Sequence, residues 1–245
     1  MRHYSIWIGF DPREAAAFAV AKQSILRWTR SAPIHGLVLD DLQKEGHYTR
    51  PTAMVPSAVD GPILIDEISK TESYSGAMST QFAISRFLVP HLAQTGMAMF
   101  VDCDVMFRAN PMPMMYGLDS KYALYCVKHQ YNPSAGMKMD GREQSAYDRK
   151  NWSSVMIFNC DHPANKRLTL DMVNMRPGRD LHRFYWLEDE EIGELDPGWN
   201  WLVGEQPEPE NPKVVHYTMG WPGLKGYENV PYSNEWRALL NRWAA

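Results

Sequence analysis

Short apolar runs ending in polar punctuation alternate with stretches of helical period along most of this chain. Tyr4–Phe10 is β-prone and stops at Asp11-Pro12. Pro12 suits the first turn of a helix that Asp11 caps, and Arg13–Arg30 then carries apolar positions at helical spacing. Ile34–Leu39 reads as a second strand, halted by Asp40-Asp41. A strand, a helix and a strand in that order predict a βαβ unit with a parallel sheet, hence an α/β fold. After an irregular polar stretch from Gln43 to Gly61, Ile63–Ile65 is a short strand candidate. Ser79 or Thr80 is expected to cap a helix over Gln81–Leu92, with Phe82, Ile84, Phe87 and Leu88 as its apolar stripe. Met97–Val101 is a compact apolar strand that runs straight into Asp102-Cys103-Asp104.

Further along, Tyr122–Val127 and Val155–Phe158 are strand candidates, and Lys128–Lys150 between them reads as a long polar loop. Loops of that length in compact domains are functional or disordered. The remainder predicts a helix over Pro163–Met175, a polar break at Glu205–Asn211 and a strand over Lys213–His216. An amphipathic helix, Asn234–Trp243, follows, bearing Trp236, Leu239, Leu240 and Trp243. No internal repeat or clear linker interrupts the pattern, so one domain spanning residues 1–245 is expected.

Composition narrows the partners. A net charge of -4 without any basic run excludes a protein that grips nucleic-acid backbone by charge alone. The three cysteines, Cys103, Cys126 and Cys160, each lie in or beside an apolar run. An odd count without CxxC spacing predicts buried thiols rather than a disulfide framework or a thiolate zinc site. The first residues become charged too soon for a signal peptide, and no apolar stretch approaches the roughly 20 residues of a membrane span. A protein of a reducing compartment, the cytoplasm, is the expectation. The last helix has only Arg237 and Arg242 as basic residues, so it should pack on the domain rather than lie on a membrane.

The segment Met97–Phe107 carries the most chemistry. Alternation along a strand end points Asp102 and Asp104 to one side while Cys103 turns inward. Two carboxylates so close repel unless a cation sits between them, and Mg²⁺ or Mn²⁺ favours carboxylates together with phosphate oxygens. Ligands of open α/β sheets collect at the carboxyl ends of strands, where this pair falls. A polar turn is the plain alternative, but Val105, Met106 and Phe107 follow at once, which a solvated turn rarely allows.

Several segments then resemble glycosyltransferase family 8, the GT-A group that includes glycogenin and the bacterial lipooligosaccharide galactosyltransferases. Ile6–Asp11 is similar to the first nucleotide-binding strand, and Ser79–Leu92, with Arg86, to the helix that precedes the DxD strand. Phe100–Asp104 is similar to that strand itself, and Trp152–Asn159 to an NSGVMLFN-like segment. Leu195–Leu202 resembles a Trp-Asn element near the sugar, and Val215–Lys225 the C-terminal HxxGxxKPW motif. The resemblance implies a single GT-A domain with a mixed, mainly parallel sheet flanked by helices. Its nucleotide-binding half would be residues 1–107, and its acceptor half residues 108–245. It also implies Asp102, Asp104 and His216 as ligands of Mn²⁺ or Mg²⁺. The donor, a UDP-sugar, would be bound around Ile8, Gly9, Phe10, Asp11 and Arg13, with Arg86, Asp102, Cys103 and Lys225. The reaction implied is transfer of the sugar to a saccharide or other hydroxyl acceptor with retention of configuration. A homo-oligomer is left open.

The chain departs from the pattern in three places. Trp152-Ser153-Ser154 replaces Asn-Ser-Gly, and the order after His216 is Trp221-Pro222-Gly223-Leu224-Lys225. The family's Asp-Gln pair has no clean copy, and the acidic run Glu188–Glu191 stands there instead, making Asp189 and Glu190 the catalytic candidates beside Arg86. A run of charges is also what a solvated face looks like. Trp199, Trp201 and Trp221 could stack under a sugar, although most tryptophans anchor cores. Two other functions compete. Phosphoryl transfer on an aspartyl nucleophile needs its acidic pair after the first strand, whereas this pair lies mid-chain. A non-catalytic nucleotide-sugar or carbohydrate-binding module of the same fold would keep the site without turnover.

Overall fold

The computed structural model describes residues 2–56, 62–130, 149 and 151–244. The elements run in order β1 (Tyr4–Gly9), α1 (Ala15–Leu26), β2 (Ile34–Leu37), α2 (Leu39–Lys44), β3 (Thr52–Val55), β4 (Ile63–Asp66) and β5 (Ala77–Met78). Next come α3 (Val89–Ala93), β6 (Met97–Val101), β7 (Val105–Phe107), α4 (Pro111–Tyr116), β8 (Leu124–Cys126) and β9 (Val155–Asn159). The last are α5 (Leu170–Met175), α6 (Gly178–His182), β10 (Ile192–Glu194), β11 (Trp201–Leu202), β12 (Val214–His216) and α7 (Ser233–Ala244).

Six strands form the central sheet in the order β10-β8-β9-β6-β1-β2. The β1–β2, β1–β6 and β10–β8 pairings are parallel, while β9 runs against both β6 and β8. The sheet is therefore mixed and mainly parallel. Every residue of β6 and β9 is buried, which is why their sequences are continuous apolar runs and not alternating ones. A second sheet, β11-β12-β7, begins where the chain leaves β6, and a third, β3-β4-β5, is an antiparallel meander.

The βαβ opening forms as expected, with tighter ends. Asp11 caps a 3-10 turn, Pro12–Glu14, that leads into α1, and α1 stops at Leu26 instead of running to Arg30. The stretch from Gln43 to Gly61 is less irregular than its polarity suggests, since α2 ends within it and β3 lies inside it, paired to β4. The helix expected over Gln81–Leu92 is broken into a turn, a 3-10 segment Ser85–Leu88 and α3. Pro90 explains the break, because it has no N–H for the carbonyl of residue 86 and its ring crowds that carbonyl. The helix expected over Pro163–Met175 is likewise a 3-10 segment, Pro163–Arg167, followed by α5, which Thr169 caps through its hydroxyl. The polar loop read at Lys128–Lys150 falls almost wholly outside the described residues. The three cysteines are free, with Cys103 and Cys126 buried and Cys160 half-buried.

The C-terminal helix packs on α1, with Trp236 and Leu239 buried and Trp236 stacked on Trp221 at 5.4 Å. Among the described residues no helix is long and apolar enough to cross a membrane. Trp199, Trp201 and Trp221 are all buried, so these indoles fill cores; Trp201 spends its Nε1–H on the Gln206 carbonyl.

Gly96, which starts the approach to β6, has φ +80, and a Cβ there would lie 2.1 Å from the His3 carbonyl oxygen. That carbonyl also receives the Met97 N–H, so it cannot move aside without uncoupling β6 from the start of β1. Replacing Gly96 with Ala combines a left-handed φ with a backbone overlap. We expect a loss of about 2 kcal/mol or more, read as a fall in Tm of roughly 5 °C.

Candidate metal centre

The acids emerge where β6 ends. The Asp102 N–H donates to the Ser154 carbonyl at the start of β9 (3.0 Å), and the Asp104 carbonyl accepts from Tyr217 N–H just past β12 (3.0 Å). Between these two anchors the chain passes from the central sheet into the second one. The antiparallel register of β12 against β7 sets His216 opposite Val105. Pinned in this way, ligand atoms of Asp102, Asp104 and His216 all lie within 4.8 Å of one another. His216 Nε2 is 3.1 Å from Asp104 Oδ1 and 3.9 Å from Asp102 Oδ2. Sequence spacing alone could not bring residue 216 to residues 102–104; the β12–β7 pairing does.

Arg86 closes one side. Its guanidinium pairs with Asp102 Oδ1 at 2.7 Å, donates to the Ser153 carbonyl at 2.9 Å, and lies over the rings of Phe82 and Phe100. Cys103 turns inward, but as part of the turn between β6 and β7 and not by strand alternation, since β6 ends at Val101; its thiol donates to Glu14 Oε2 at 2.9 Å. Glu14 was not singled out from the sequence, where it is one polar residue in a helix start. Burial, reinforced by the charge of Asp104, pushes its carboxyl up to about 7. Burial and the surrounding acids hold the Cys103 thiol far above its usual range. Asp104 is half-buried, and its desolvation opposes ionisation, yet the adjacent His216 holds it below the usual carboxylate range.

The donor set suits a hard or borderline divalent cation, with two carboxylates and one imidazole nitrogen converging and no thiolate among them. The ring of His216 is oriented for this, because its Nδ1 lies 2.9 Å from Asn200 Oδ1 and leaves Nε2 facing the acids. Burial opposes protonation of His216, but Asp104 and Asp102 still raise its pKa. Positive charge is thus favoured at this point, either as a proton on Nε2 or as a cation in its place.

A chain of polar groups continues behind His216. Asn200 Nδ2 donates to Ser154 Oγ at 2.9 Å and lies 3.0 Å from His129 Nε2, and the Gln206 amide lies 3.0 Å from His129 Nδ1. Asn200 belongs to the Trp-Asn element, but nothing in the sequence signalled that it would hold a histidine. His129 stood at the edge of a polar loop and gave no signal either. Burial, with the charge of His216, depresses the His129 pKa to about 4. An unfolded histidine titrates near 6.5, so between about pH 6.5 and 4 the unfolded chain binds a proton that the folded chain excludes. The contribution of His129 to stability is therefore complete above that window and is lost as pH falls through it. By pH 5 the loss should reach roughly 2 kcal/mol. Guanidinium titrations at pH 7 and 5 should show this acid-induced loss in the native chain and a smaller one in His129→Gln.

The remaining residues singled out from the sequence lie as follows. Asp11 is fully buried, and its carboxylate accepts from Arg13 Nε and Nη2, from Arg13 N–H and from Gln81 N–H, so its role here is to fix the turn after β1. Arg13 also donates to the Ser79 carbonyl. Ile8 and Gly9 end β1, and Phe82 lies so close over Gly9 that a Cβ there would meet its ring at 2.4 Å. Phe10 packs edge-on against Phe18. Lys225 is exposed in the loop between β12 and α7. Asp189, on an exposed turn before β10, pairs with Arg149, and Glu190 is its neighbour on the same turn. Among the described residues, no hydrogen bond or ion pair joins Asp189, Glu190 or Lys225 to the Asp102–Asp104–His216 cluster.

No protein-family model matches the chain. Among solved structures it is similar to the glycosyltransferase GlyE of Streptococcus pneumoniae TIGR4, with a TM-score of 0.57 and 12% identity over 100% of this chain and 64% of that one. The chain thus spans somewhat less than two thirds of GlyE. It is also similar to the galactosyltransferase LgtC in complex with donor and acceptor sugar analogues, with a TM-score of 0.55 and 12% identity over 97% of this chain and 95% of that one. These likenesses establish the GT-A fold. Protein CDI of Arabidopsis thaliana is 39% identical over 241 residues, covering 95% of this chain and 84% of the plant protein. With that identity sustained over nearly its whole length, the chain belongs to the family of Protein CDI.

Proposed function

We propose that this chain transfers a sugar from a nucleoside-diphosphate donor, a UDP-sugar, to a hydroxyl acceptor, with a divalent cation held by Asp102, Asp104 and His216. The convergence of those three side chains at the carboxyl end of β6 is the observation that carries the reading. When bound, Mn²⁺ or Mg²⁺ would supply positive charge where the diphosphate leaving group develops negative charge. The chain's residues do the rest. Arg86 holds Asp102 in place, and the backbone at Ile8, Gly9 and Phe10 lies at the strand end where open α/β sheets receive ligands. Asp11 and Arg13 keep that turn rigid, Cys103 keeps the two acids on one side, and Lys225 reaches the diphosphate from the C-terminal loop.

In this reading residues 1–107 hold the donor and residues 108–245 the acceptor, a saccharide or another hydroxyl compound. Configuration is retained, with the departing phosphate taking the acceptor proton, so no separate base is required. Asp189 and Glu190 would face the sugar, in place of the Asp-Gln pair of glycosyltransferase family 8, to which we assign the chain on the DxD and late-histidine pattern. A panel of nucleotide-sugars screened by thermal shift tests the proposal. One UDP-sugar should raise Tm with Mn²⁺ and not with EDTA, and UDP release should follow. Equal shifts in EDTA would count against the cation. Donor binding without UDP release under any acceptor would make the chain a binding module.

A further inference from the structure

The metal-facing nitrogen of His216 depends on which of its two ring nitrogens carries the hydrogen, and the groups behind it decide that. The hydroxyl of Ser154 donates to the Asn151 carbonyl at 2.8 Å, so its oxygen is left to accept. Asn200 meets that oxygen with Nδ2, at 2.9 Å. Its amide orientation is thereby fixed, and Oδ1 faces His216 Nδ1 at 2.9 Å. An oxygen there requires Nδ1 of His216 to be the donor, which leaves the Nε2 lone pair turned toward Asp104 and Asp102. The same Nδ2 lies 3.0 Å from His129 Nε2. Neutral His129 therefore accepts at Nε2 and carries its hydrogen on Nδ1, and the Gln206 amide, 3.0 Å away, meets that N–H with its oxygen once turned end for end.

We infer that Ser154, Asn200, His129 and Gln206 form a directional hydrogen-bond relay that fixes the tautomer of His216 so that Nε2 is presented to a divalent cation. These are positioning residues: none of them touches the cation, and they act through Asn200 on the ligand. The proposal rests on the cation site of the proposed function and adds a role for the segment where the chain departs from the family pattern. Each residue of Trp152-Ser153-Ser154 is engaged. Trp152 Nε1 donates to the His129 carbonyl at 3.0 Å, Ser153 Oγ lies 2.7 Å from His182 Nδ1, and Ser154 orients Asn200. A glycine at position 154 would leave Asn200 free to turn over. Groups of this kind behind a metal-bound histidine typically change metal affinity by about 10–100-fold when removed.

The test uses the whole chain with ¹⁵N-labelled histidine, with Mg²⁺–UDP for nuclear magnetic resonance and Mn²⁺ titrations, with and without UDP, for affinity. The native chain should show His216 and His129 both protonated on Nδ1. Ser154→Ala should bind Mn²⁺ about tenfold more weakly and show His216 in both tautomers, and Ser154→Thr, which keeps the oxygen, should restore both readouts. His216 protonated on Nε2 in the Mg²⁺–UDP complex, or Ser154→Ala binding Mn²⁺ as tightly as the native chain, would overturn the relay. If the native chain binds no Mn²⁺, with or without UDP, the cation reading fails instead. The metal-free spectrum then still decides the relay, since His129 protonated on Nδ1 supports it and on Nε2 refutes it.

Discussion

Asp104→Asn should lower cation-dependent UDP release by about a thousandfold while leaving the melting temperature nearly unchanged. The first expectation follows from charge. One carboxylate of a two-acid site carries half of its formal negative charge, and a cation that contributes several kcal/mol at the leaving group is lost with it; each 1.36 kcal/mol is tenfold in rate. The second follows from where Asp104 is tied into the fold. Its backbone carbonyl, not its side chain, anchors Tyr217, and an amide has nearly the same shape as the carboxylate. A stopped UDP-release assay, repeated across Mn²⁺ concentrations, measures the effect. Undiminished release from the folded variant, or release that persists in EDTA, would remove Asp104 from the reaction.

A second large effect lies far from that centre. Arg50 and Asp66 form an ion pair whose side chains are 0% and 1% exposed. Arg50 Nε donates to Asp66 Oδ1 at 3.0 Å, and Nη1 donates to the carbonyls of Val173 (2.7 Å) and Arg176 (2.8 Å). Asp66 also receives the Ser69 hydroxyl, whose oxygen accepts the N–H of Gly178. One guanidinium thus joins the β3-β4-β5 meander to α5, and Ser69 joins Asp66 to the start of α6. Replacing Arg50 with Met strands a buried carboxylate and two carbonyls, which should cost about 3–5 kcal/mol. That is a large share of the roughly 5–15 kcal/mol that holds most domains together. Adding Asp66→Leu should recover part of the loss, because the stranded charge is gone while the carbonyls of Val173 and Arg176 stay unsatisfied. Equal stabilities for the single and double variants, from denaturant midpoints, would contradict this account.

The parts of the molecule legible in the sequence are those whose cause is local. Met97–Val101 could be read to the residue because a strand covered on both faces is apolar throughout and ends at its first acid. Asp11-Pro12 marked a helix start because a cap and a fixed φ act within three residues. Apolar spacing predicts one helix over Gln81–Leu92, because spacing alone does not register what Pro90 does to the carbonyl of residue 86. Short strands such as β5, β10 and β11 gave no signal, because two or three residues hold no measurable period. At the candidate metal centre, Asp102 and Asp104 announce themselves through an apolar frame. His216 needed a family pattern, as its place depends on the pairing of β12 with β7. Asn200 and His129 stayed hidden because their meaning lies in which polar atoms face each other across the fold.

The pairing of β12 with β7 also sets when the centre exists during synthesis. The two acids precede their imidazole by more than a hundred residues along the chain, and β12, which delivers it, follows every strand of the central sheet. A chain that has completed β1, β2 and β6 holds the two acids and the Arg86 guanidinium that pairs with Asp102, but not yet the imidazole. Until β12 has been made and paired with β7, the proposed cation site lacks its nitrogen ligand, however complete the front of the central sheet.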